Sequence, residues 1–192
     1  MHHAVKKIIT LMLAVSLIGM VQLSVAADEN PQDDIQQQVI AQTMNNDRLQ
    51  AIIQRIDPEF TGTLGHWQIK VDNIGIRIIT DARADRMRIV IPVRKADGLS
   101  QEEMYRILQA NFDSALDARY AIGKGVLWST FIHPLSSLND KKFLSGLGQT
   151  INIVRSYGKS YSSGVLTFGG GDSNELLQKK LIDELMKKGQ II

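Results

Sequence analysis

YRILQANFDSALDARYAIGKGVLWSTFIHPL, Tyr105–Leu135, changes its apolar period halfway along, and that change decides the fold. Ser100 and Glu103 just upstream have the S-x-x-E spacing of a capping box, in which each side chain satisfies a backbone N–H at the helix start. Met104, Ile107, Leu108 and Phe112, with Ala115 or Leu116, then recur at three- and four-residue steps. This spacing predicts a helix with that stripe buried. DARYAIGKGVLWSTFIHPL follows with hardly a spacer, and its apolar runs flank Gly123-Lys124-Gly125. It reads as a hairpin of two core strands.

Upstream the period is two. In HWQIKVD, Trp67, Ile69 and Val71 share a face while Gln68 and Lys70 take the other. After an Asp72-Asn73 turn, NIGIRIIT places Ile74, Ile76 and Ile78 together. DRMRIVIPVRK alternates Met87, Ile89, Ile91 and Val93 with Arg86, Arg88, Val90, Pro92 and Arg94. Three antiparallel strands are predicted, with Pro92 at an edge or on the non-bonded side of its strand. Before them, Ile35, Val39, Ile40, Met44, Leu49, Ile52, Ile53 and Ile56 keep helical spacing from Asp34 until Pro58 stops the helix. Asn46 could cap a second segment at MNNDR, and EFTGTLG reads as a turn region.

Downstream, SLNDKKFLSGLGQTINIVRSYG predicts a third helix with Leu138, Phe143, Leu147, Ile151 and Val154 inward and Gly158 ending it. Residues 159–172 form a Gly/Ser-rich connection that could hold a short strand, Val165 to Phe168, and residues 173–192 form a last helix capped by Asp172 or Ser173. The fold class expected is α+β: an antiparallel sheet in α-βββ-α-ββ-α order plus an extra C-terminal helix.

The amino terminus sets the expected compartment. MHHAVKK is a basic head, IITLMLAVSLIGMVQLSV is apolar, and SVAAD offers small residues for a signal peptidase. Residues 1–27 read as a signal peptide and 28–33 as an acidic leader, which makes the protein periplasmic or secreted. An uncleaved anchor is the competing reading, because the apolar run approaches the ~20 residues of a membrane span. Cleavage leaves no permanent span. Residues 1–27 hold two of the 22 basic and none of the 20 acidic residues, so the 165 that remain are neutral. That balance gives no reason to expect nucleic acid. The chain has no cysteine, so it must be held by packing alone.

Leu108-Gln109-Ala110-Asn111-Phe112 before the hairpin, and Leu135 to Leu138 before the closing helix, resemble the type III secretion chaperone-like fold. The similarity is to its YbjN-type sensory-domain branch and, more distantly, to its Tir-chaperone branch. It extends over about Asp34 to Tyr157, the expected domain being residues 34–158. The resemblance implies a non-enzymatic module, a small dimer that binds protein segments or plays a regulatory part. Effector chaperones are cytoplasmic and usually acidic. The signal and the neutral balance here fit a periplasmic binding or adaptor role better.

Chemistry is sparse. His66 and His133 stand alone, without the three or four ligands a zinc site takes, so no metal or cofactor is expected. Ser156-Tyr157-Gly158-Lys159 has S-x-x-K spacing, but Gly158 breaks the helical turn that would bring the lysine to the serine, and S-D-N and K-T-G partners are missing. GGGDSNE lacks a P-loop lysine. Asp81, Asp85, Asp113 and Asp117 are scattered carboxylates. No catalytic residue is assigned, and an undetected serine hydrolase is the weakest reading.

The face opposite the apolar strand residues collects Gln68, Lys70, Arg77, Arg86, Arg88 and Arg94, and Arg119 could join them. Solvated charge guarding a sheet is the plain interpretation. The sharper one makes Lys70, Arg77, Arg86, Arg88 and Arg94 partner-binding residues for an acidic protein segment, an anionic lipid or glycan, or the chain's own leader. Single-stranded nucleic acid is disfavoured because the face offers no aromatic residue for stacking. The expectation is an exported protein-binding or chaperone-like module with a protein partner, and a homodimer is the oligomeric form considered. A sensory or regulatory accessory of an envelope system is the alternative.

Overall fold

Alternation of apolar and polar residues yields a sheet with one dry and one wet face. The computed structural model describes residues 43–164 and 173–190, with the backbone alone for 173–178. The expected signal, leader, helix before residue 43, Val165–Phe168 strand and Asp172 cap, and the glycine run, all lie outside the described residues.

The elements are α1 (Asn46–Ile56), β1 (Thr61–Thr63), β2 (His66–Val71), β3 (Ile74–Asp81), β4 (Arg86–Lys95), α2 (Gln101–Asp113), β5 (Arg119–Gly123), β6 (Val126–His133), α3 (Asp140–Ser156) and α4 (Ser173–Gly189). All strands pair antiparallel in the order β1-β2-β3-β4-β6-β5. The fold is therefore α+β as expected, with one added strand. β1 lies in the stretch read as a turn, because Thr61–Thr63 are all exposed and carry no alternation. Asp72-Asn73 and Lys124-Gly125 take positive φ, at 48°, 65°, 52° and 72°, as two-residue hairpin turns require.

The dry face presents Trp67, Ile69, Ile76, Ile78, Met87, Ile89, Ile91, Leu127 and Phe131, all buried. Each such side chain contributes about 1.5–3 kcal/mol on burial. α1 lays Leu49, Ile52, Ile53 and Ile56 into this core. Its cap is Asn45 rather than Asn46, with the Asn45 side chain accepting from Arg48 N at 2.9 Å. Asn46 instead accepts from the Thr80 hydroxyl at 2.7 Å, tying the start of α1 to the end of β3.

α3 is buried on both sides, between the sheet and α4. Two glycines permit this. A Cβ at Gly146 would sit 2.8 Å from the Phe131 ring, and one at Gly148 would sit 2.6 Å from Ile182 Cγ1. At these two positions the helix backbone comes closer to each layer than any side chain would allow. Leu181 and Leu185 of α4 are buried, and Arg55 donates to the Gln190 carbonyl at 2.6 Å.

Pro92 sits where β3 stops pairing with β4, since the last β3 partner is Val90, so its missing N–H breaks no ladder bond there. The register against β6 jumps from Pro92↔Trp128 to Arg94↔Leu127, leaving Val93 as an extra residue. That bulge reverses the facing of everything after it.

Candidate protein-binding surfaces

α2 departs most from expectation. Met104, Leu108 and Phe112 point to solvent at 41%, 67% and 93% exposure, with Tyr105 beside them at 65%. The inward residues are Ile107 and Ala110. The helix is held on that side by polar anchors instead of by its larger apolar stripe. Glu103 closes the capping box with Ser100 and accepts from Arg94 and the Tyr157 hydroxyl, at 3.4 and 3.2 Å. The Ser100 N–H, with weaker help from Tyr157 and Arg94, holds the Glu103 carboxyl below its ordinary range. Ser114 donates to the Tyr161 carbonyl at 3.0 Å, and Arg106 stacks over the Tyr161 ring at 5.0 Å.

Asn111 explains the Leu108–Phe112 motif. Its amide nitrogen donates to the Tyr120 carbonyl at 3.0 Å and its amide oxygen accepts from Tyr120 N at 2.8 Å. β5 is an edge strand, and an unpaired edge invites foreign strands. Asn111→Ala should cost about 1–3 kcal/mol and raise amide exchange at Tyr120 selectively. Unchanged exchange there would refute the clamp.

The wet face of the sheet carries mixed chemistry. Cross-strand rows read Gln68–Arg77–Val90–Thr130–Arg119 and His66–Ile79–Arg88–Ile132, with Pro92–Trp128–Ala121 beside them. Lys70 is exposed on β2, and Arg86 lies opposite Asp81. Arg94 does not belong to this set, because the bulge at Val93 turns it to the helix side and into its ion pair with Glu103. The face also holds an aromatic ring after all, since β6 sends Leu127, Ser129 and Phe131 inward and Trp128, Thr130 and Ile132 outward. The Trp128 N–H donates to the Gly123 carbonyl at 2.9 Å. Arg77, Ile79, Arg88, Val90, Ile122, Lys124, Trp128 and Ile132 line a groove of about 380 Å³ with no carboxylate in its wall.

The candidate reactive groups stay apart. Ser156 is buried at the end of α3, its hydroxyl engaged with the Ser162 carbonyl at 2.8 Å and the Ile153 carbonyl at 3.3 Å, while Lys159 is exposed beyond Gly158. His133 bonds the Pro134 carbonyl at 2.8 Å and stacks on Phe131. Asp85 clamps Ser136 through N–H and hydroxyl, both at 2.7 Å, and those two bonds lower its pKa. Asp81 accepts from two turn N–H groups, and Asp117 from Gln149. Among the described residues no group of His, Cys, Asp and Glu is placed to hold a metal, and no helix is long and apolar enough to cross a membrane.

No known family matches the sequence, and no curated protein matches it. Among solved structures, the chain is similar to the Yersinia pestis type III secretion chaperone SycH in complex with a stable fragment of YscM2. The TM-score is 0.45 and the identity 16%, covering 58% of this chain and 98% of that one. It is also similar to a chain of the HopA1–SchA chaperone–effector complex, with a TM-score of 0.45 and 11% identity, covering 65% and 96% respectively.

Proposed function

We propose that the protein is an exported, non-enzymatic protein-binding module of the bacterial envelope, chaperone-like and of the YbjN type suggested by its helix–hairpin motif. One observation carries the binding reading: the outward stripe of Met104, Tyr105, Leu108 and Phe112 on α2. A helix anchored by polar bonds on one side and apolar on the other is built to receive something there, and exposed apolar patches on soluble domains commonly mark contacts. The envelope location rests on the sequence of residues 1–27 alone.

Mild crosslinking of the exported protein, followed by identification of what is captured, tests the reading. Wild type should yield partner adducts, and Leu108→Glu with Phe112→Glu should reduce them about tenfold or more, as loss of central apolar anchors does. Equal recovery from both would sink it. One dominant partner would favour a sensory or regulatory accessory, many unfolded clients a chaperone, and an adduct of twice the protomer mass a homodimer. Labelling of Ser156 by a covalent serine probe would revive hydrolase chemistry.

A further inference from the structure

The wet sheet face is a second candidate surface, separate in chemistry from the α2 stripe. Its groove joins Ile79, Val90, Trp128 and Ile132 to Arg77 and Arg88. Neither arginine is ion-paired to a carboxylate among the described residues. Cations left unpaired around an apolar floor are complementary to a segment with acidic and apolar side chains and no basic ones.

The chain contains such a segment. Residues 28–42, DENPQDDIQQQVIAQ, carry four acids, no Lys or Arg, and the apolar Ile35, Val39 and Ile40. The described part begins at Thr43, two residues before the Asn45 cap. Asn46 bonds Thr80, and Thr80 adjoins Ile79, which lies in the row with Arg88 and Ile132. Thr80 is buried opposite Met87, so the segment starts at the end of β3 on the helix side and must round that end of the sheet to reach the groove. Rounding the sheet, about 10 Å, and crossing from β3 to β5, three strand spacings or about 14 Å, are within reach of these residues, which span about 50 Å when extended. We infer that residues 28–42 dock on the Arg77–Arg88–Trp128 face of the sheet and shield it.

Trp128 reports on this, because the other tryptophan, Trp67, is 1% exposed in the core. The test uses purified protein whose intact mass shows that residues 28–42 are present. Acrylamide quenching is compared with that of a variant carrying Asp28→Asn, Glu29→Gln, Asp33→Asn and Asp34→Asn. Trp128→Phe identifies the Trp128 share of the signal. Neutralising the acids should raise the quenching constant of Trp128 about twofold or more by shifting the docked population. Arg77→Ser with Arg88→Ser should do the same, at an unchanged melting temperature. Unchanged quenching in the acid-neutralised protein overturns the proposal. So does shielding of Trp128 by a foreign acidic peptide alone, which would assign the face to a partner.

Discussion

A Gly148→Val variant should melt about 6–12 °C below wild type, the shift expected for roughly 3 kcal/mol of overpacking in a domain of this size. The added branch would enter space where even a Cβ lies 2.6 Å from Ile182 Cγ1 and 3.4 Å from Ile182 Cα. Side-chain rotation relieves only the first of these. Calorimetry gives the size of the effect, and a double-mutant cycle gives its location. Ile182→Ala added to Gly148→Val should recover part of the loss, although Ile182→Ala alone destabilises. Strictly additive losses would mean that the α3–α4 seam is not the cause.

Gln149→Leu should cost about 2–3 kcal/mol, because it leaves buried polar groups unpaired. Gln149 is 1% exposed, and its oxygen accepts from Asp117 N and Ala118 N at 3.2 and 3.3 Å. Its nitrogen donates to Asp117 and Ser145. The side chain thus closes the loop between α2 and β5. Faster exchange at Ala118 should accompany the lower melting temperature. Gln149→Glu keeps the acceptor but sets a carboxylate against Asp117, so its stability should improve as pH falls into the carboxylate range and one of the pair takes a proton. A flat pH response would contradict this geometry.

These positions show where sequence was legible. Strands β2 to β4 could be read because one dry face imposes period two over a long run, and the two-residue turns at Asp72 and Lys124 declare themselves. The cap of α2 was equally plain. Its facing was not, because apolar periodicity identifies the largest stripe and not the side that other elements grip. At α2 the grip comes from Glu103, Asn111 and Ser114, polar residues that resemble a solvent face until Arg94, Tyr120 and Tyr161 are found beneath them. Arg94 was misplaced for a related reason. A single extra residue at Val93 reverses facing without disturbing composition. Of the cations expected on the wet face, Lys70, Arg77, Arg86 and Arg88 precede that bulge and keep their side. β1 left no trace because an exposed three-residue strand has no pattern to leave.

The Asn111 amide offers Tyr120 one donor and one acceptor, the same pair that the peptide group of a further strand would present. The sheet is in effect terminated by a side chain imitating its next neighbour. At the opposite margin β1 is three residues long, too short to template a long partner strand. With Tyr120 paired by a side chain on one margin and only a short β1 on the other, the sheet offers little backbone for a foreign strand to join. Any partner would be selected through side chains, by shape and charge. A language of side chains discriminates between sequences, where backbone pairing would accept almost any extended chain.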